Sequence, residues 1–192
     1  MQKIKLIGTR TNFEFSHEYK GEKFYKCYVT TKRTSGNEDI LPVIVPEVFT
    51  DVVGERVEID GQIRTRNVKV DEKTHLSIYV FAKDIKDTDE TEDVNIFDGE
   101  GFICKNPRYR ETLLGREITD LLLAFNRDYD KSDYIPSVAW GRNAHRTVDL
   151  EVGIPIKIKG RLQSRKYIKL VDRELVEKTA YELSISEVNA NE

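Results

Sequence analysis

Residues 157–169, KIKGRLQSRKYIK, hold six basic side chains and no acid. Along an extended strand, Lys157, Lys159, Arg161, Gln163, Arg165 and Tyr167 share one side, and Ile156, Ile158, Gly160, Leu162 and Ser164 share the other. Lys166 and Lys169 add to the charge. A cationic stripe that ends in a flat ring can hold phosphates and stack against a base. In YIPSVAW, Tyr134 and Trp140 have the same parity, so both project from one face of a strand while Ile135 and Ala139 point inward. Every base has a π-face, so stacking on such rings tolerates any sequence and contributes roughly 1–3 kcal/mol per base. Net charge is −3, so only the local stripe, and not the whole molecule, attracts phosphate.

Other chemistries find little support. His17, His75 and His145 lie far apart and near no cysteine pair, so no zinc spacing occurs. Asp128, Asp130 and Asp133 in DYDKSD lack the central glycine and closing glutamate of a calcium loop. No phosphate-cradling glycine loop or nucleophile elbow is present. The expectation is a protein that is not an enzyme and uses no cofactor or metal. Cys27 and Cys104 offer no disulfide framework. No apolar run reaches the roughly 18 residues of a membrane span, and MQKIKLIGTR has no signal-peptide stretch, so the cytosol is the expected compartment.

The elements that must position these groups are written twice. Residues 20–47 lie over 114–141 without a gap, pairing Gly21 with Gly115, Arg33 with Arg127, Asp39 with Asp133 and Pro42 with Pro136. After a five-residue insertion, Val53, Gly54, Ile59, Gly61 and Arg66 lie over Val152, Gly153, Ile158, Gly160 and Arg165. Each copy reads as strand, hairpin partner, short helix and closing hairpin. The prolines in ILPVIVP and YIPSVAW point to strand edges or bulges. That order is the five-stranded Greek-key barrel called the OB-fold. The expected architecture is all-β: two tandem five-stranded OB-fold barrels, residues 1–86 and 96–188, joined by an acidic linker at 87–95. The surrounding stretch 84–93, DIKDTDETED, has six acids and one lysine and reads as a solvated spacer that keeps the barrels apart.

The second copy resembles the bacterial single-stranded DNA-binding protein family. The matching residues are Pro107, Arg110-x-Thr112, Gly115, a leucine-rich strand ending in Asn126-Arg127, the Trp140-Gly141 pair and Gly160-Arg161-Leu162-Gln163-Ser164-Arg165. The resemblance implies base stacking by Tyr129, Tyr134, Trp140 and Tyr167. It also implies backbone contacts from Arg127, Lys157, Lys159, Arg161, Arg165, Lys166 and Lys169. It further implies protection of single-stranded DNA in replication, recombination or repair, and a homodimer supplying the four barrels that the family usually assembles, with replication or repair proteins as further partners. In the first copy the positions of Lys157 and Lys159 hold Glu58 and Asp60, and those of Tyr129, Tyr134, Trp140 and Tyr167 hold Ser35, Ile40, Pro46 and Val68. The second barrel is therefore expected to bind strand and the first to support assembly. Two other readings stay open from sequence: a primosome-type, plasmid or phage replication accessory, and a two-barrel protein-interaction module that binds no DNA.

Overall fold

The structure is a computed structural model that describes residues 1–70 and 72–190. Strands account for nearly all of the regular structure. In the first copy they are β1 (Gln2–Arg10), β2 (Glu14–Tyr19), β3 (Glu22–Lys32), β4 (Glu38–Pro46), β5 (Arg56–Val70) and β6 (Lys73–Asp87), with one 3-10 turn at Glu47–Phe49. In the second they are β7 (Val94–Ile103), β8 (Arg108–Glu111), β9 (Glu117–Asn126), β10 (Ser132–Trp140), β11 (Pro155–Val171) and β12 (Glu174–Ala190), with the helix α1 (Arg142–Val148) after β10. Each copy is a barrel of five strands with one further outer strand, β2 or β8. The barrels close through β1–β3 and β7–β9, and each has a short parallel contact, β4–β6 or β10–β12. The two OB barrels expected from sequence are present.

Strict alternation builds the walls. Val57, Ile59 and Ile63 of β5 and Ile156, Ile158 and Leu162 of β11 are buried, each contributing about 1.5–3 kcal/mol of apolar burial. The matched glycines Gly61 and Gly160 sit where each long strand coils past its hairpin partner, at a register shift. A β-carbon there would lie 2.5 Å from the Phe81 carbonyl oxygen in one copy and 2.1 Å from that of Ser184 in the other. Only glycine lets the strands approach so closely. Pro42 and Pro136 lie inside β4 and β10, at the residue before the parallel contact begins, where the second edge of the strand is still unpaired.

The barrels are joined edge to edge. β1 pairs antiparallel with β7, from Gln2 opposite Gly99 to Ile7 opposite Val94, and one apolar cluster that includes Ile4, Leu6 and Phe97 runs through both copies. The expectation that the spacer keeps the barrels apart is thereby corrected. Asp84 and Asp87 belong to β6, and only 88–93 connects the barrels. Asp93 accepts from the Arg56 guanidinium and, at 2.6 Å, from the Lys32 backbone N–H, while Arg56 Nε donates to the Glu90 carbonyl. With β7 seated against β1, Asp93 lies within reach of a cation and a free N–H group of the first barrel, and charge-assisted bonds tie it down.

Two buried aspartates complete the junction, one from each copy at matching positions. Asp39 accepts from Arg33 Nε at 2.8 Å and from the Ser164 backbone N–H of the other copy at 2.8 Å, and Ser164 Oγ accepts from the Ile40 N–H. Asp133 accepts from the Thr65 N–H at 2.6 Å and from Arg64 Nη1 at 3.0 Å, both of the other copy, and Thr65 Oγ1 accepts from the Tyr134 N–H. Arg127 Nε stands 3.1 Å from Asp133. Thr65 and Ser164 match in the internal alignment, as do Asp39 and Asp133. The duplicated sequence has built the same clamp twice, reading in opposite directions across the junction.

Candidate nucleic-acid interface

An open cleft of about 840 Å³ runs along the outer face of the second barrel. Trp140, at the end of β10, forms part of its wall beside Val138 and Ile118. Arg161 and Arg165 enter from β11, Arg110 and Arg116 from the β8–β9 hairpin, and Arg33 from the first barrel. The hairpin turn has the Thr112 and Gly115 geometry to present Arg116. Thr112 Oγ1 accepts from the Arg116 N–H at 3.0 Å, and Gly115 takes a φ of 71°, open to glycine at no cost.

The cleft is short of negative charge. Arg161 Nη2 donates to Gln163 Oε1, Gln163 Nε2 donates to Glu182 Oε1 at 2.9 Å, and Arg165 lies 3.6 Å from the same carboxylate. Arg33 and Arg110 are held by Asp39 and Asp120, whose hydrogen bonds raise the basicity of both guanidiniums. Among the described residues Arg161 has no carboxylate in contact. Burial first, and the neighbouring Arg33 charge second, pull its guanidinium below the ordinary arginine range, and its Nε is buried without a partner. Arg161 is thus a half-buried cation whose unmet donor a phosphate oxygen could satisfy.

Eight of the eleven predicted residues lie in or around the cleft. Trp140, Arg161 and Arg165 line the cleft together. Arg165 and Lys166 border the seam beside it, where the barrels meet, while Tyr167 and Lys169 stand exposed farther along the β11–β12 arm, the Arg165 guanidinium 5.8 Å from the Tyr167 ring centroid. Tyr129 is 93% exposed at the β9–β10 turn, where it and Asp130 adopt left-handed φ values of 62° and 53°. The first copy puts Gly36 in the corresponding turn. Holding a tyrosine in that conformation carries strain of the kind that accumulates at binding sites. Tyr134 is half exposed near the seam, its N–H on Thr65.

Three predicted residues stand elsewhere. Lys157 and Lys159 pair across the ladder with Glu100 and Asp98 on one side and with Asn189 and Glu187 on the other, and they border none of the cleft. Arg127 is engaged with Asp133 at the junction. Sequence reasoning missed Arg33, Arg110 and Arg116. Arg110 was visible as part of the family pattern, whereas Arg33 arrives from the other barrel, which no reading of one copy reveals.

The first barrel's outer face is not bare. At the positions matched to the second copy's rings it has none, but Tyr28 of β3 and Tyr79 of β6 stand on the same outer side, where the second copy has Leu122 and Glu182. Rings have moved between strands, so comparing like positions does not find them.

Residues 99–190 match the model of the single-strand binding protein family. Among solved structures, the wild-type single-stranded DNA binding protein from Thermus aquaticus aligns over 100% of this chain and 93% of that one, with a TM-score of 0.79 and 18% identity. A deletion mutant of that protein aligns over 100% and 94%, with a TM-score of 0.76 and 19% identity. At such identity the likeness extends to the fold of the whole chain. No curated protein matches the sequence.

Proposed function

We propose that this chain, whose residues 99–190 match the model of the single-strand binding protein family, binds and protects single-stranded DNA without catalysis and largely without regard to sequence. Trp140 stacks on a base, Arg161 and Arg165 hold the backbone beside it, and Arg33, Arg110 and Arg116 extend the cationic wall. The observation that carries this reading is the arginine-lined cleft in which a ring and a buried, unmet guanidinium donor stand side by side. Tyr129, Tyr134, Tyr167, Lys166 and Lys169 flank the cleft and would engage strand that leaves it. A role in DNA replication, recombination or repair, and a homodimer that brings together four barrels, follow from the family resemblance.

Trp140 is the single tryptophan, which makes the test direct. Titration with oligodeoxythymidine should quench its emission as a base covers the ring, with a matching gel shift. Unchanged emission with no shift would overturn the proposal.

A further inference from the structure

The cleft does not end at the junction. Arg33, Asn37, Ser164 and Arg165 border both the cleft and the seam, and Tyr28, Thr179 and Tyr181 border both the seam and a third cavity on the first barrel. That cavity, about 300 Å³, is a cup. Its walls are Tyr28, Tyr79 and Tyr181, its floor includes Ile44 and Ile78, and Lys26 and Arg66 stand at its margin. Tyr181 reaches in from the second copy, so neither barrel makes the cup alone. Burial first, and the neighbouring Tyr28 second, raise the ionisation range of the Tyr181 phenol.

We propose that this cup seats one unpaired base of the strand held in the cleft and reads its edge, giving otherwise indifferent binding a preference at one position. The proposal rests on the strand-binding reading above. Tyr79 and Tyr181 supply rings for stacking, the Lys26 ammonium stands over the Tyr28 ring at 4.8 Å from its centroid, and the volume admits a single base with space for water. The hydroxyls can donate or accept, but Lys26 and Arg66 only donate, and among the described residues neither forms an ion pair. On the major-groove edge thymine O4 and guanine O6 and N7 accept, whereas cytosine shows an N4 donor and adenine an N6 donor beside N7, so these donors favour thymine and guanine when that edge turns into the cup. The open cleft, by contrast, offers Trp140 a base face and no enclosing edge.

The test uses the whole chain and an oligodeoxythymidine long enough to cross both barrels, with one abasic site moved along it. The wild-type protein should show a sensitive position, costing about fivefold or more in affinity, that is lost in Tyr79→Ala but kept in Trp140→Ala. Thymine or guanine at that position should bind about three- to tenfold better than cytosine or adenine. Tyr79→Phe should keep the abasic penalty and weaken the preference. An abasic profile unchanged by Tyr79→Ala, or equal affinity for all four bases at the sensitive position, would overturn the cup. Failure of the strand-binding reading is distinguishable, because then the Trp140 emission of the wild-type protein itself stays unquenched.

Discussion

The first turns of β5 and β11 occupy the same place in their barrels and carry opposite charges, Glu58 and Asp60 against Lys157 and Lys159. From sequence this contrast suggests one barrel that repels phosphate and one that attracts it. In the folded chain each pair is answered by its neighbours. Glu58 lies 2.7 Å from Lys5 and 3.4 Å from Lys86, and Lys159 lies 3.3 Å from Glu187 with Asp98 across the ladder. Both stretches face the sheet that β1 and β7 join, so the sign difference is settled locally, between strands. Beyond the matched glycines the contrast changes meaning. Arg64 of the first copy turns to Asp133 at the junction, while its counterpart Gln163 stays in the cleft between Arg161 and Glu182. One copy spends its arginine on the joint, and in the other a glutamine takes that place beside Arg161, which forms no ion pair among the described residues.

The strongest way to break this comparison lies at the joint itself. Asp133→Ala would leave Arg64 and Arg127 without their shared acid, whereas Asp39→Ala would leave only Arg33. Removing one partner of a buried pair costs about 3–5 kcal/mol, so urea unfolding should show a loss of that order for Asp133→Ala and a smaller one for Asp39→Ala. Equal losses would mean that Arg64 adds nothing to the clamp.

Next in size is the ring. Trp140→Ala should weaken oligodeoxythymidine binding by about 1–3 kcal/mol, roughly 5- to 150-fold, with unfolding unchanged by comparison. The matched Pro46→Ala of the first barrel should leave strand affinity nearly untouched, since that position offers no ring. A comparable loss from both would erase the asymmetry between the barrels.

Much of the fold was legible because duplication and alternation are local properties. The matched Gly61 and Gly160 and the alternating Ile156, Ile158 and Leu162 behave as their spacing implies. The joint was not legible for the opposite reason. Asp39 and Asp133 stood out in the internal alignment, but their partners Ser164 and Thr65 lie on the other copy, and a linker of acids looks solvated until β1 and β7 are known to pair. Within the candidate site, Trp140, Arg161 and Arg165 could be read from strand parity and the family pattern. Lys157 and Lys159 share that parity, yet a long, coiled strand faces different neighbours along its length, and parity alone cannot tell which part looks into the cleft. The rings of the first barrel escaped because they sit on β3 and β6 and not at the matched places on β4.

Salt dependence sharpens the same point with a smaller effect. If the five cleft arginines and Lys166 each meet a phosphate, the slope of log affinity against log salt should lie near −4, at about 0.7 per contact on single strands. Arg161→Gln should make the slope shallower by about 0.7. An unchanged slope would show that its unmet donor meets no phosphate.

The smallest expected effect separates the two halves of β11. Lys157→Gln and Lys159→Gln remove cations from the same parity as Arg161, so a uniform stripe predicts that they weaken binding as Arg161→Gln does. The structure predicts otherwise, because each lysine stands among Glu100, Asp98 and Glu187 and borders none of the cleft. Exposed pairs of this kind contribute about 0–1 kcal/mol to stability, and their loss should change strand affinity by less than about twofold and leave the salt slope in place. A shallower slope in Lys157→Gln would place phosphate on the joined sheet, beyond the cleft.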